Sequence, residues 1–182
     1  DARKHPFRYF VLLNGALLVY TFLGSAFFHA SLGKFPERLD LSAVYGTAGL
    51  PLIYSLALLF RKTENRNWAR IAGVVWLIWW VAATVWVWEM KAKIVVPAMV
   101  GTTSLALIIG ERRNPTQGSN VWMWTLGISI PLAVLCFFAD IRRIGCVEDG
   151  WMSPHGIWHL LAALSIYAFA RYIHVRTQNH PL

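Results

Sequence analysis

The amino-acid sequence predicts an all-α protein, a polytopic transmembrane helical bundle that forms a single domain over residues 1–182. Of its residues, 57% are hydrophobic and only 14% are charged, whereas soluble domains average about 45–50% apolar and about 25% charged. The hydrophobic residues also form long runs that approach or reach the length of about 20 residues needed to cross a bilayer. These two observations exclude an ordinary water-soluble enzyme, a disordered tail and a small disulfide-rich scaffold.

The runs predict six spans with short connections. The first span follows basic residues, but it is too long for a signal peptide and ends in a histidine rather than a cleavage site. The second, fourth and fifth spans each contain a proline, which is tolerated where neighbouring helices satisfy the freed carbonyl groups. The third span is rich in tryptophan, which we expect to face lipid and the membrane interface. The sixth span opens with histidines. In order, the predicted spans are Tyr9–Ala30, Leu41–Phe60, Ile71–Trp88, Ile94–Gly110, Val121–Ala139 and Gly156–Val175.

The formal net charge of +8 predicts an orientation. In a soluble chain it would suggest a nucleic-acid partner, but in a membrane protein lysines and arginines collect in cytoplasmic loops. Of the 17 basic residues, eleven fall on the side that holds both termini and six on the other side. We therefore expect no nucleic acid and two cytoplasmic termini, in the cell membrane of a bacterium or in the ER or Golgi of a eukaryote.

Polar and ionisable side chains within spans are costly and are hypotheses of function by default. In this chain they lie at the non-cytoplasmic ends of four different helices, so all of them are expected at a similar depth in the membrane. They are Ser25 and His29 of the first span, Asp40 beside the second, Asp140 at the end of the fifth, and His155 and His159 of the sixth.

The spacing of the histidines indicates a metal site. His155 and His159 lie four residues apart, on one face of a helix, and the same spacing places Ser25 and His29 on one face of another. Three neutral histidines with an open fourth position are typical of catalytic zinc. Zinc lowers the pKa of its water and polarises a carbonyl, and cleavage of an amide or an ester requires both effects.

The pattern Ser25…His29, Asp40 and His155…His159 resembles the signature of the CREST superfamily of seven-span membrane hydrolases and receptors. That superfamily includes alkaline ceramidases, Per1-type lipases and adiponectin/progestin-type receptors. The interval between His29 and Asp40 and the expected cytoplasmic carboxyl terminus resemble the ceramidase branch more than the receptors. The fold implied is the seven-span bundle without its first helix.

The resemblance implies a zinc-dependent intramembrane amidohydrolase, which cleaves the N-acyl bond of ceramide or a related membrane lipid to a fatty acid and an amine. It implies that His29, His155 and His159 bind zinc. Asp40 would orient or deprotonate the attacking water, and Ser25 would hydrogen-bond the substrate carbonyl. No acidic segment that would support calcium is visible. The alternatives are a Per1-like acyl-ester lipase and a receptor-like protein with structural zinc.

Three of the polar residues also have structural interpretations. Ser25 is a small residue of the kind that packs between membrane helices. Asp40 would serve as the N-cap of the second span. Asp140 would either support a histidine ligand from behind or pair with Arg142 or Arg143 at the interface.

Overall fold

The protein is an all-α bundle in a computed structural model that describes residues 8–60, 66–86, 91–145 and 153–179. These residues contain six helices and no strand, which confirms the predicted fold class. All six helices are long and apolar enough to cross a membrane, as expected of a multi-pass membrane protein. They are α1 (Arg8–Ser31), α2 (Lys34–Leu59), α3 (Arg66–Val85), α4 (Ala92–Arg113), α5 (Ser119–Ile141) and α6 (Pro154–Asn179).

The second helix begins at Lys34, about two turns earlier than the apolar run that predicts it. Its first turns are polar, so hydropathy does not mark them. Pro36 lies in the first turn, where its missing N–H costs no helical hydrogen bond. The N-cap residue is Gly33, and Asp40 therefore lies inside the helix. The interpretation of Asp40 as an N-cap is wrong.

A two-residue turn joins α1 to α2. Leu32 adopts a left-handed conformation with φ of 51°, and its N–H donates to the Phe28 carbonyl at 2.7 Å. This conformation costs a non-glycine residue roughly 1–2 kcal/mol. Gly24 lies close to the backbone of Asp40, since a Cβ at that position would be 3.5 Å from the Asp40 nitrogen. The turn thus brings the end of α1 beside the start of α2.

Three tryptophans of α3 face α2. The indole N–H of Trp76 donates to the Gly46 carbonyl at 3.1 Å, and that of Trp80 donates to the Ser42 carbonyl at 2.9 Å. Gly46 has to lack a side chain, because a Cβ there would lie 2.8 Å from the Trp80 Nε1. These contacts fix α3 against α2, which also packs on α1 and α4.

The prediction that this tryptophan-rich face contacts lipid is therefore wrong for three residues of α3. Trp79 likewise donates its indole N–H to a backbone carbonyl of α2, at 3.4 Å. The physical reason is that a buried indole N–H needs an acceptor, and the α2 backbone supplies one. Trp86 is 58% exposed, as predicted, and Trp88 lies outside the described residues.

A buried polar network joins α4, α5 and α6 at the end of the bundle where α4 ends and α5 begins. The Glu111 carboxylate accepts hydrogen bonds from Arg176 at 2.5 Å, from the Tyr172 hydroxyl at 2.6 Å, from the Thr116 N–H at 3.0 Å and from the Ser119 hydroxyl. Glu111 and Arg176 are both buried. Arg176 is one of the eleven basic residues that the sequence assigns to the cytoplasmic side. In the structure it is buried and forms an ion pair with Glu111.

Next to this network, aromatic side chains fill the bundle. The rings of Tyr54 and Phe169 meet edge to face with centroids 5.7 Å apart, and those of Tyr54 and Tyr172 with centroids 6.2 Å apart. All three side chains are fully buried. We call these three residues the aromatic plug. It fills the space between α2 and α6 at this level.

Candidate functional site

Three histidine side chains meet at the opposite end of the bundle from the aromatic plug. The Nε2 atoms of His155 and His159 on α6 lie 3.0 Å apart, and the Nε2 atoms of His155 and of His29 on α1 lie 3.3 Å apart. One nitrogen from each of the three rings lies within 4.8 Å of the others. The fold therefore brings together the three residues that the sequence predicts as ligands.

The donor set fits a zinc ion. Zinc–nitrogen bonds of about 2.0–2.1 Å in tetrahedral geometry place neighbouring ligand nitrogens about 3.3 Å apart. Two of the observed separations, 3.0 and 3.3 Å, are close to this spacing, and the third pair of nitrogens lies within 4.8 Å. Three nitrogen donors would leave one position of a tetrahedron open, which is the arrangement of catalytic rather than structural sites.

Asp140, near the end of α5, contacts the back of one of these rings. Its Oδ2 lies 2.9 Å from Nδ1 of His155. A carboxylate in this position holds the proton on Nδ1, so that Nε2 is free to bind a metal. Of the two interpretations of Asp140, the structure shows the contact with the histidine.

Asp40 and Ser25 lie beside the histidines. The Ser25 side chain on α1 lies near enough to the Asp40 carboxylate on α2 to interact with it, and this carboxylate is close enough to His29 and His155 for electrostatic interaction. The close approach of the two helices at Gly24 explains the contact. All six polar residues singled out in the sequence thus lie at one end of the bundle.

A cavity of about 210 Å³ extends from the histidines into the bundle. A single water requires only about 10–15 Å³ by the same measure, so the cavity is large enough for a ligand. On α6 its wall is a face with helical spacing, formed by His155, His159, Ala162 and Ser165. Thr21 of α1 and faces of α2, α4 and α5 form the rest of the wall.

The cavity walls are apolar even where they carry hydroxyl groups. Thr47, Thr103 and Ser165 each donate to the carbonyl four residues earlier in their own helix, at 2.8, 2.8 and 2.7 Å. Methyl and methylene groups form most of the remaining surface. The cavity is not predicted from the sequence, although the small residues Ala162 and Ser165, which follow His159 at helical spacing, are a signal for it.

Comparison with known proteins corrects the family prediction. The model of the Per1-like family matches residues 2–176 of the chain. No curated protein and no solved structure is significantly similar to it. The assignment to the alkaline ceramidase branch of the CREST superfamily is therefore wrong, and so is the predicted amidohydrolase activity on ceramide. Five motif residues are too few to distinguish related families from one another, whereas the family model matches nearly the whole length of the chain.

Proposed function

The chain belongs to the Per1-like family, and from this premise we propose that it is a zinc-dependent hydrolase that cleaves acyl esters of membrane lipids. One observation carries the proposal: three histidine nitrogens converge beside a carboxylate and a hydroxyl, at one end of an apolar cavity. Metal ligands, a base and a hydrogen-bond donor are the groups that hydrolysis of an acyl bond needs.

His29, His155 and His159 would hold the zinc ion. When bound there, zinc supplies a Lewis acid that lowers the pKa of water and polarises a carbonyl. Asp140 orients the ring of His155 through its contact with Nδ1, and such partners behind a ligand strengthen metal binding.

Asp40 is the proposed general base. It accepts a proton from the water whose oxygen adds to the acyl carbon, and it returns that proton to the alcohol oxygen when the ester C–O bond breaks. The products are a fatty acid and an alcohol. Ser25 interacts with the Asp40 carboxylate before the reaction. Once Asp40 has accepted the proton from water, the single hydroxyl hydrogen of Ser25 is free to be donated to the oxygen that gains negative charge.

A lipid substrate is supported by the surroundings of the site. The cavity begins at Asp40, His155 and His159 and continues between apolar helix faces, in a bundle whose helices suit a membrane. The excess of basic residues on the side of the termini supports two cytoplasmic termini and a site near the opposite face of the membrane.

Release of free fatty acid from lipid esters by the purified protein in nanodiscs tests the activity, with the matched amide as a comparator. We expect His159→Ala to lose zinc, measured by elemental analysis, and to lose ester hydrolysis. We expect Asp40→Asn to keep zinc and to slow hydrolysis by about 10²–10⁴-fold.

His174→Ala is the matched control for the histidine variant, because His174 is an exposed histidine on the same helix. Hydrolysis by His159→Ala at the rate of His174→Ala would overturn the proposal. Stoichiometric zinc without release of fatty acid would indicate a structural metal instead.

A further inference from the structure

We propose that the apolar cavity is a pocket of fixed depth for one acyl chain, and that it selects lipids by the length of that chain. The identity of the occupant rests on the proposed ester hydrolysis, because the acyl carbon has to lie at the histidines while its chain extends away from them. The cavity is the space that begins at His155 and His159 and has apolar walls.

Three helices give the same depth for this pocket. Its lining runs from His155 to Ile166 on α6, from Asp40 to Pro51 on α2, and from Phe137 to Leu126 on α5. Each stretch advances about 16 Å along its helix at about 1.5 Å per residue. The agreement shows that the pocket follows the bundle axis.

This depth corresponds to a chain of limited length. A fully extended polypeptide advances about 3.3–3.6 Å over the three backbone bonds of a residue, or about 1.2 Å per bond. At that rate, a depth of about 16 Å holds an extended chain of roughly 12–14 carbons.

The floor of the pocket is closed. Leu126 is 1% exposed, and the hydroxyl groups of Ser129 on α5 and Ser165 on α6 hydrogen-bond each other at 2.8 Å. Beyond them, toward the other end of the bundle, lies the aromatic plug with its fully buried rings. A longer chain therefore has to displace packed side chains.

Selection in this pocket is steric. Bilayer lipid is as apolar as the pocket walls, so moving a chain from one to the other provides little driving force. Forcing extra methylene groups into a packed core displaces side chains from their preferred rotamers and is unfavourable. We therefore expect chains of about 18 carbons to be hydrolysed about tenfold more slowly than chains of 12–14 carbons.

Two variants test the depth in opposite directions. Ala162 lies in the wall about 10 Å along α6 from His155, so Ala162→Phe is expected to move the optimum to roughly 8 carbons. Leu126→Ala removes part of the floor and is expected to move the optimum to about 16 carbons. Matched controls are Ala163→Phe and Leu135→Ala, at exposed positions of the same helices.

Two readouts separate this proposal from the proposed chemistry. One is the rate of ester hydrolysis for chains of about 8 to about 18 carbons. The other is the increase in thermal stability that free fatty acids of the same lengths produce, since a ligand bound to the folded state stabilises it. The second readout requires no hydrolysis.

The outcomes distinguish the two proposals. If the wild type, Ala162→Phe and Leu126→Ala all hydrolyse esters with the same dependence on acyl-chain length, the proposed pocket is refuted and the proposed function still holds. The protein could instead fail to hydrolyse esters, while fatty acids of 12–14 carbons stabilise it most and both variants shift this optimum. That result would refute the proposed ester hydrolysis and support the acyl-chain pocket.

Discussion

Replacement of Asp140 tests whether the histidine cluster is a metal site. Its carboxylate contacts Nδ1 of His155 at 2.9 Å and has no place among the predicted ligands. Asp140→Ala removes the hydrogen-bond acceptor and leaves the three ring nitrogens unchanged. Asp140→Asn keeps an acceptor oxygen but removes the negative charge. A comparison of the two variants separates hydrogen bonding from long-range charge.

The size of the expected effect follows from the exposure of the pair. Loss of a partner behind a metal-binding histidine lowers metal affinity by about 10–100-fold. The side chains of His155 and Asp140 are 43% and 30% exposed, and solvent screens such a pair. We therefore expect the low end of that range: the zinc Kd rises about tenfold, or about 1.4 kcal/mol, in Asp140→Ala. In Asp140→Asn we expect a rise of about threefold.

Competition with a chromophoric chelator, with the protein in nanodiscs, measures the zinc Kd. Glu37→Gln is the control, because it removes one negative charge from the first turn of α2, at the same end of the bundle. A zinc Kd for Asp140→Ala within twofold of the wild-type value would refute the reasoning. Equal losses in Asp140→Ala and Glu37→Gln would assign the effect to net charge instead.

The remaining predictions concern stability and metal removal. Glu111→Gln leaves the buried Arg176 without its counter-charge, so we expect denaturant unfolding to show a loss of about 3–5 kcal/mol; a loss no larger than that of Glu37→Gln would contradict this. Trp80→Phe removes a hydrogen bond to α2 and should cost about 0.5–1.5 kcal/mol, whereas the exposed Trp86→Phe should cost nothing measurable; equal effects would argue against the contact. A chelator should abolish ester hydrolysis, with recovery on addition of zinc and no loss of helical circular dichroism; unfolding on chelation would indicate structural zinc.

Much of the fold and of the candidate site is predictable from local patterns. Apolar runs mark all six helices, because a segment that crosses a bilayer has to be long and apolar. The boundary of α2 is missed because its first turns are polar. The spacing of His155 and His159 predicts a shared face, and the ring nitrogens do lie 3.0 Å apart. The family assignment fails because so few residues carried the resemblance.

The sequence by itself determined which segments are helices and which end of each helix carries the polar groups. Only the tertiary structure decided how each helix is rotated about its axis and which helices touch. The physical reason is that lipid and the bundle interior are both apolar, so hydropathy does not show which face of α3 packs on α2. The meeting of His29 with His155, the contact of Asp140 with that ring, and the burial of Arg176 against Glu111 all depend on the packing of helices that are distant in the chain.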